Sequence, residues 1–263
     1  GADDLDDVEP HGRRLLLAPP PLSSVREGGT ESVERIFCLF RFYFFTACTT
    51  VRRHRFNSTR ERGDTAMCLL AVNLYKMDKS PIILAANRDE YYDRPSEPPQ
   101  LLNTAPQVLG GRDSRAGGTW LGVNEHGLTV ALTNRRTDAK ESRRCPSRGL
   151  LCAMALRHAS ASEAVGHLIS HAAQTRYNPF SLLAMDPSQA WSVSNTPEWA
   201  ARQLAPGWHV LGNTTLDDVK DPRVKRDMCL QQNLGPLEDV PVDALQNLCR
   251  DHGDSAEAGS PDT

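Results

Sequence analysis

A thiol directly after a methionine, Met67-Cys68, precedes by one short hairpin a tight run of charge, Asn87-Arg88-Asp89-Glu90. A cysteine second to an initiator methionine becomes the first residue of a chain once the methionine is trimmed, and its own α-amine then serves as general base for its sulfur. Arg88 would lower the thiol pKa, and Asp89 would hold the amine. Asn134 and Asn213 each follow an apolar run, where a side-chain amide donates to a developing oxyanion without changing charge. Each residue also has an ordinary role. Cys68 suits a small buried position, 87–90 a solvated loop, and the asparagines common turns.

Two hairpins must position these groups. Cys68 to Tyr75 and Pro81 to Ala86 are apolar runs separated by the polar segment 76–80, which predicts a β-hairpin with Cys68 at one strand end and Arg88 at the neighbouring one. Thr119 to Val123 and Leu128 to Thr133 flank Asn124-Glu125-His126-Gly127, whose glycine suits a turn with positive φ. Apolar residues at 150, 151, 154 and 155 predict a helix over 147–158 capped by Ser147. A similar stripe predicts a helix over 162–172 capped by Ser162. Strands are expected at 180–185, 190–193 and 208–212, and helices at 222–230 and 242–250. Strands, helices, strands and helices in that order indicate an α+β layered fold. Gly110-Gly111-Arg112-Asp113 and Ala116-Gly117-Gly118-Thr119 lack a phosphate-loop pattern and read as close-approach turns or a mobile loop.

The 263 residues carry a net charge of −3, which supplies no electrostatic reason for nucleic-acid binding. No apolar run reaches the about 20 residues that span a bilayer. Seven cysteines in irregular spacing suit free thiols in a reducing, cytoplasmic compartment, and without CxxC or HExxH no metal is expected. Residues 1–66 run from an acidic start through Pro19-Pro20-Pro21 to an aromatic and then a basic block, with no sustained periodicity. They read as a disordered or non-native extension ahead of a domain at 67–263, with Met67 the expected native start.

Taken together, Met67-Cys68, Ala85-Ala86-Asn87-Arg88-Asp89-Glu90 with Arg94-Pro95, Gly117 to Gly122, Leu132-Thr133-Asn134 and Ser147-Arg148-Gly149 resemble the NRDE family, also called the transport and Golgi organisation protein 2 family. The resemblance implies an αββα four-layer sandwich of the N-terminal nucleophile hydrolase type, with closing strands expected beyond Thr263. It implies Cys68 as nucleophile and base, Arg88 and Asp89 as organisers, and Asn134 and Asn213 as oxyanion donors. The reaction would be hydrolysis of a linear, non-peptide amide of a small molecule, with no cofactor. The same resemblance implies a second class of function, secretory (Golgi) organisation or haem trafficking, for which Cys145-Pro146 with His158, His167 and His171 would be the place to hold haem.

Overall fold

The computed structural model describes residues 46–47, 68–75, 81–88, 90, 94–138, 141–172, 174–232, 234 and 243–245. Met67, Asp89, the turn at 76–80 and most of 1–66 lie outside these residues. So does the expected 242–250 helix, apart from the helical residues 243–245.

Among the described residues, eleven strands form two sheets. The first has four: β1 (Thr46–Ala47), β3 (Ile82–Asn87), β2 (Leu69–Leu74) and β11 (Gly207–Leu211), in that order. The second runs β10 (Ala200–Gln203), β9 (Ala190–Ser194), β8 (Phe180–Met185), β7 (Thr129–Asn134), β6 (Leu121–Asn124), β5 (Gln107–Asp113) and β4 (Ser96–Thr104). Among the described strand pairs only β1–β3 is parallel. Helices α1 (Arg148–Ala155) and α2 (Ala161–Ala172) follow β7, and α3 (Pro222–Gln232) follows β11.

Side-chain alternation along the strands separates the layers, because successive residues of a strand face opposite ways. In β2, Leu70, Val72 and Leu74 enter a core with Leu121, Ala131, Leu183 and Met185 of the second sheet. Its Leu69 packs instead with Val210 and Val224, and its Ala71 with Ile83, Ala85 and Leu245. All six β2 residues are buried, as expected of a strand covered on both faces. On the outer face of the second sheet, Val130, Leu132, Leu182 and Ala184 meet Leu151, Leu156, Val165 and Leu168 of the first two helices and the end of α1. Each fully buried leucine contributes about 1.5–3 kcal/mol. The order helix, sheet, sheet, helix is the expected four-layer α+β sandwich. No helix among the described residues is long and apolar enough to cross a membrane.

Both expected hairpins form, and Gly127 adopts φ 83° in the second turn. Asn124 accepts at Oδ1 from the N–H groups of His126 and Leu128, and its Nδ2 donates to the carbonyls of Leu156 and His158, tying this turn to the end of α1. Ser147 caps α1, its Oγ accepting from Gly149 N at 3.2 Å.

Two expectations are corrected. Ser160, not Ser162, caps α2: its Oγ accepts from Glu163 N at 3.3 Å, and the Glu163 carboxylate accepts from Ala159 N at 3.1 Å. Ser162 lies within the helix and bonds Gln189 Nε2. This reciprocal arrangement favours a Ser with Glu three positions on. Gly110 and Gly111 belong to β5 and are not a loop. Strands β1, β4, β5 and β10 have no expected counterparts, β1 lying within the segment 1–66 read as a disordered or non-native extension. β4 carries Pro98-Pro99 at a register shift on the sheet's edge, where the missing N–H groups are tolerated.

Gly118 lies against the start of α1. A Cβ there would fall 2.2 Å from the Gly149 carbonyl carbon, and neither backbone is free to yield because Thr119 N donates to Gly149 O at 3.1 Å. Gly118→Ala is expected to cost about 2 kcal/mol by overpacking. Urea denaturation measures this, and a loss below about 0.5 kcal/mol, the usual size of a neutral surface change, would refute the close-approach account.

β11 is fastened to the following loop by His209. Nδ1 of this imidazole lies 2.8 Å from Asp217 Oδ2, Nε2 lies 2.9 Å from Ala205 O, and Asp217 Oδ1 accepts from Val210 N. The Asp217 hydrogen bond raises the His209 pKa, against a smaller opposing effect of burial. A raised folded-state pKa stabilises fully below the unfolded value of about 6.5 and is lost as pH climbs through the folded value. His158 behaves oppositely, since burial and neighbouring His167 lower its pKa. The difference in stability between wild type and His209→Gln should therefore shrink above about pH 6.5. A difference that grows with pH in urea titrations would contradict this.

Candidate active site

β2 and β3 pair antiparallel with Leu69 opposite Asn87, so Cys68 and Arg88 leave the first sheet at the same end. Both line a cleft of about 450 Å³, together with Asn134 from the end of β7 and Ser147, Arg148 and Gly149 from the start of α1. The hairpin thus brings the expected thiol and guanidinium together. Cys68 is half-buried. Asp89 lies outside the described residues.

The charged floor of the cleft is a cluster of four side chains. Arg88 is 8% exposed and stacks over Trp120, 4.4 Å from the ring centroid. Its guanidinium lies 3.6 Å from Glu90 and 4.0 Å from Asp113. Arg94 completes the group at 3.5 Å from Glu90 and 2.7 Å from Asp113. Burial works against ionisation of Asp113, yet hydrogen bonds from Arg94 and from the N–H groups of Ala116 and Arg115 outweigh it and hold the carboxyl below its usual range. Burial likewise disfavours the Arg94 charge, but Asp113 and Glu90 more than compensate and raise its pKa. A buried cation on an indole face between two carboxylates is held by both charge and stacking.

Asn213 is buried and ties the two sheets together. Its Nδ2 donates to Asn134 O at 2.7 Å, and its own carbonyl accepts from Arg136 N at 2.7 Å. Among the described residues its Oδ1 has no hydrogen-bond partner. Asn134 lines the cleft directly, whereas Asn213 holds the backbone from which Asn134 projects.

Sequence reasoning missed the structural part played by Arg94, Asp113 and Trp120. Asp113 lies in a glycine-rich stretch, and only its pairing across β5 reveals that it faces Arg94. Cys145 also lines the cleft. The histidines form a separate row beside α2: His158 and His167 centroids are 4.8 Å apart, His167 stacks on His171 at 6.3 Å, and His171 Nε2 bonds the Tyr177 hydroxyl. Cys152 is a structural thiol, fully buried against Val130 O, and burial pushes its pKa up. No group of three or more His, Cys, Asp or Glu among the described residues is arranged to hold a metal.

The two stacked sheets between helical layers are the αββα fold of the N-terminal nucleophile hydrolase type. Among solved structures the chain is similar to a Caenorhabditis elegans N-acylethanolamine-hydrolyzing acid amidase ortholog, with a TM-score of 0.50, 18% identity, and coverage of 69% of this chain and 85% of that one. It is also similar to penicillin V acylase from Agrobacterium tumefaciens, at a TM-score of 0.36 and 13% identity over 75% of this chain and 68% of that one.

The chain belongs to the Transport and Golgi organisation 2 family, whose model matches residues 67–252. A mouse Transport and Golgi organization 2 homolog is 30% identical over 217 residues, covering 74% of this chain and 75% of its own. A bovine homolog is 34% identical over 173 residues, covering 57% and 58%.

Proposed function

We propose that this protein is a cysteine amidohydrolase of small, linear amides, with Cys68 as nucleophile. The observation that carries the reading is Cys68 at the end of β2, lining one cleft with Arg88 and Asn134. The Caenorhabditis elegans protein named above is an N-acylethanolamine-hydrolyzing acid amidase ortholog, and the shared fold is consistent with the same bond type here.

In the proposed reaction the α-amine of Cys68 removes the thiol proton, and the sulfur attacks the amide carbon. The carbonyl oxygen gains charge beside the Asn134 side chain. Collapse of this intermediate breaks the C–N bond, with the amine leaving group taking the proton from the α-ammonium. Water then cleaves the thioester to carboxylic acid and regenerates the thiol. Arg88 holds positive charge near the thiolate, and Asp89 orients the amine.

In the chain as it stands, the Cys68 nitrogen is an amide bonded to Met67 and accepts no proton. Activity therefore requires the bond between residues 67 and 68 to be cut. A protein beginning at Cys68 should hydrolyse phenylacetyl p-nitroanilide, and acetylation of its α-amine, which turns the nitrogen into an amide that accepts no proton, should slow it by about 10²-fold, the usual contribution of a positioned base. Equal rates before and after N-acetylation would refute the amine's role, and no hydrolysis by either form of any acyl anilide tried would refute the enzyme reading.

A further inference from the structure

Charge is unevenly spent in the cleft. Its three lining carboxylates among the described residues are already matched: Glu90 and Asp113 by Arg88 and Arg94, and Glu141 by Arg148 at 2.7 Å. Arg115 and Arg143 also line it, and neither is in an ion pair among the described residues. Among the described residues, a chain with a net charge of −3 therefore presents two guanidiniums outside any ion pair at one concave surface.

Both arginines are exposed, but each rides on a pinned turn. Asp113 Oδ1 accepts from the N–H groups of Arg115 and Ala116, and Asp113 N donates to Gly118 O. On the other wall, Ser142 N donates to Asn178 Oδ1 while Asn178 Nδ2 returns a bond to Ser142 O, and Cys145 N closes the turn on Ser142 O. Turns fastened in this way hold their side-chain origins at fixed places, which lowers the entropy lost when a ligand is gripped. Guanidinium is also the cation best shaped for oxygen anions, through parallel N–H donors.

We infer that Arg115 and Arg143 form an anion-recognising rim, so that the cleft takes an amide bearing a carboxylate or phosphate group in preference to a neutral one. This names the substrate class of the site proposed above and rests on that reading for its chemistry, though not for its binding. Because both side chains are exposed, their attraction is moderate and sensitive to salt.

Calorimetry on the full chain with N-phenylacetylglycine, N-phenylacetylethanolamine phosphate and neutral N-phenylacetylglycinamide tests the inference. One or both anions should bind about five- to tenfold tighter than the amide at about 50 mM salt, and the gap should narrow at about 500 mM. Tighter binding by only one of them identifies the group as carboxylate or phosphate. Arg115→Gln with Arg143→Gln should erase the preference, and Arg157→Gln, an exposed arginine outside the cleft lining, should leave it intact. Equal affinity for all three compounds, a preference that survives the double substitution, or no binding of any of them would overturn the inference. Turnover of the neutral anilide by the protein beginning at Cys68 is read separately. Turnover without anion preference removes only the rim, and preference without turnover removes only the hydrolase reading.

Discussion

Cys68→Ala, in a protein whose chain begins at that residue, is expected to lower kcat for phenylacetyl p-nitroanilide by about 10³-fold or more, with KM changed little. In the proposed reaction the Cys68 sulfur is the group that forms the acyl bond. Cys145 shares the cleft, which makes it the necessary control. Cys145→Ala should leave kcat within a few-fold, because Cys145 follows a turn and its own nitrogen is an internal amide that accepts no proton. Loss of a structural cysteine would instead show as unfolding. Cys68 is half-buried, so its truncation leaves little cavity and should lower stability by less than about 1 kcal/mol. Full activity in Cys68→Ala, or equal losses at Cys68 and Cys145, would end the assignment of Cys68 as nucleophile.

How far the sequence exposes this site depends on the range over which each signal acts. Cys68 and Arg88 were placed together from a single hairpin, since antiparallel pairing of two apolar runs dictates which ends meet. Asn134 was similarly legible as the end of a strand. Asn213 was found as a residue, but its bond to the Asn134 carbonyl spans two sheets and has no local trace. The charged cluster was the least legible part. Arg94 meets Asp113 through the pairing of β5 with β4, a strand that has Pro98-Pro99 and a mostly half-buried or exposed pattern instead of clean alternation. Trp120 was visible as an apolar strand residue, but its use as a platform for Arg88 depends on contact between the layers. The same limit explains Gly110 and Gly111. Glycine usually marks a turn, and here the neighbouring backbone and the Trp120 ring leave no room for a side chain on β5.

The four-side-chain cluster predicts the second large effect. Asp113→Ala removes the carboxylate that holds Arg94 at 2.7 Å and lies 4.0 Å from Arg88, while also stripping two N–H groups of their acceptor. Breaking a buried pair costs about 3–5 kcal/mol, and partial exposure of the Arg94 side chain places the expected loss near the lower end, about 3 kcal/mol. Asp113→Asn separates the two contributions. Its side-chain oxygen still accepts from Arg115 and Ala116, so the turn survives and only the charge is lost, for about half the cost. The pH dependence has a definite sign. The folded Asp113 carboxyl is held below its usual range, so its charge stabilises fully above the unfolded value of about 3.9 and ceases to do so as pH falls through the folded value. The stability gap between wild type and Asp113→Asn should stay constant near neutrality and close below about pH 4. A gap that persists undiminished at about pH 2.5 in urea titrations would mean that shape, and not charge, sets the role of Asp113. In that case, among the described residues, Glu90 and Trp120 would be the groups that hold Arg88 beside the cleft, and Glu90→Gln would be the substitution that displaces it.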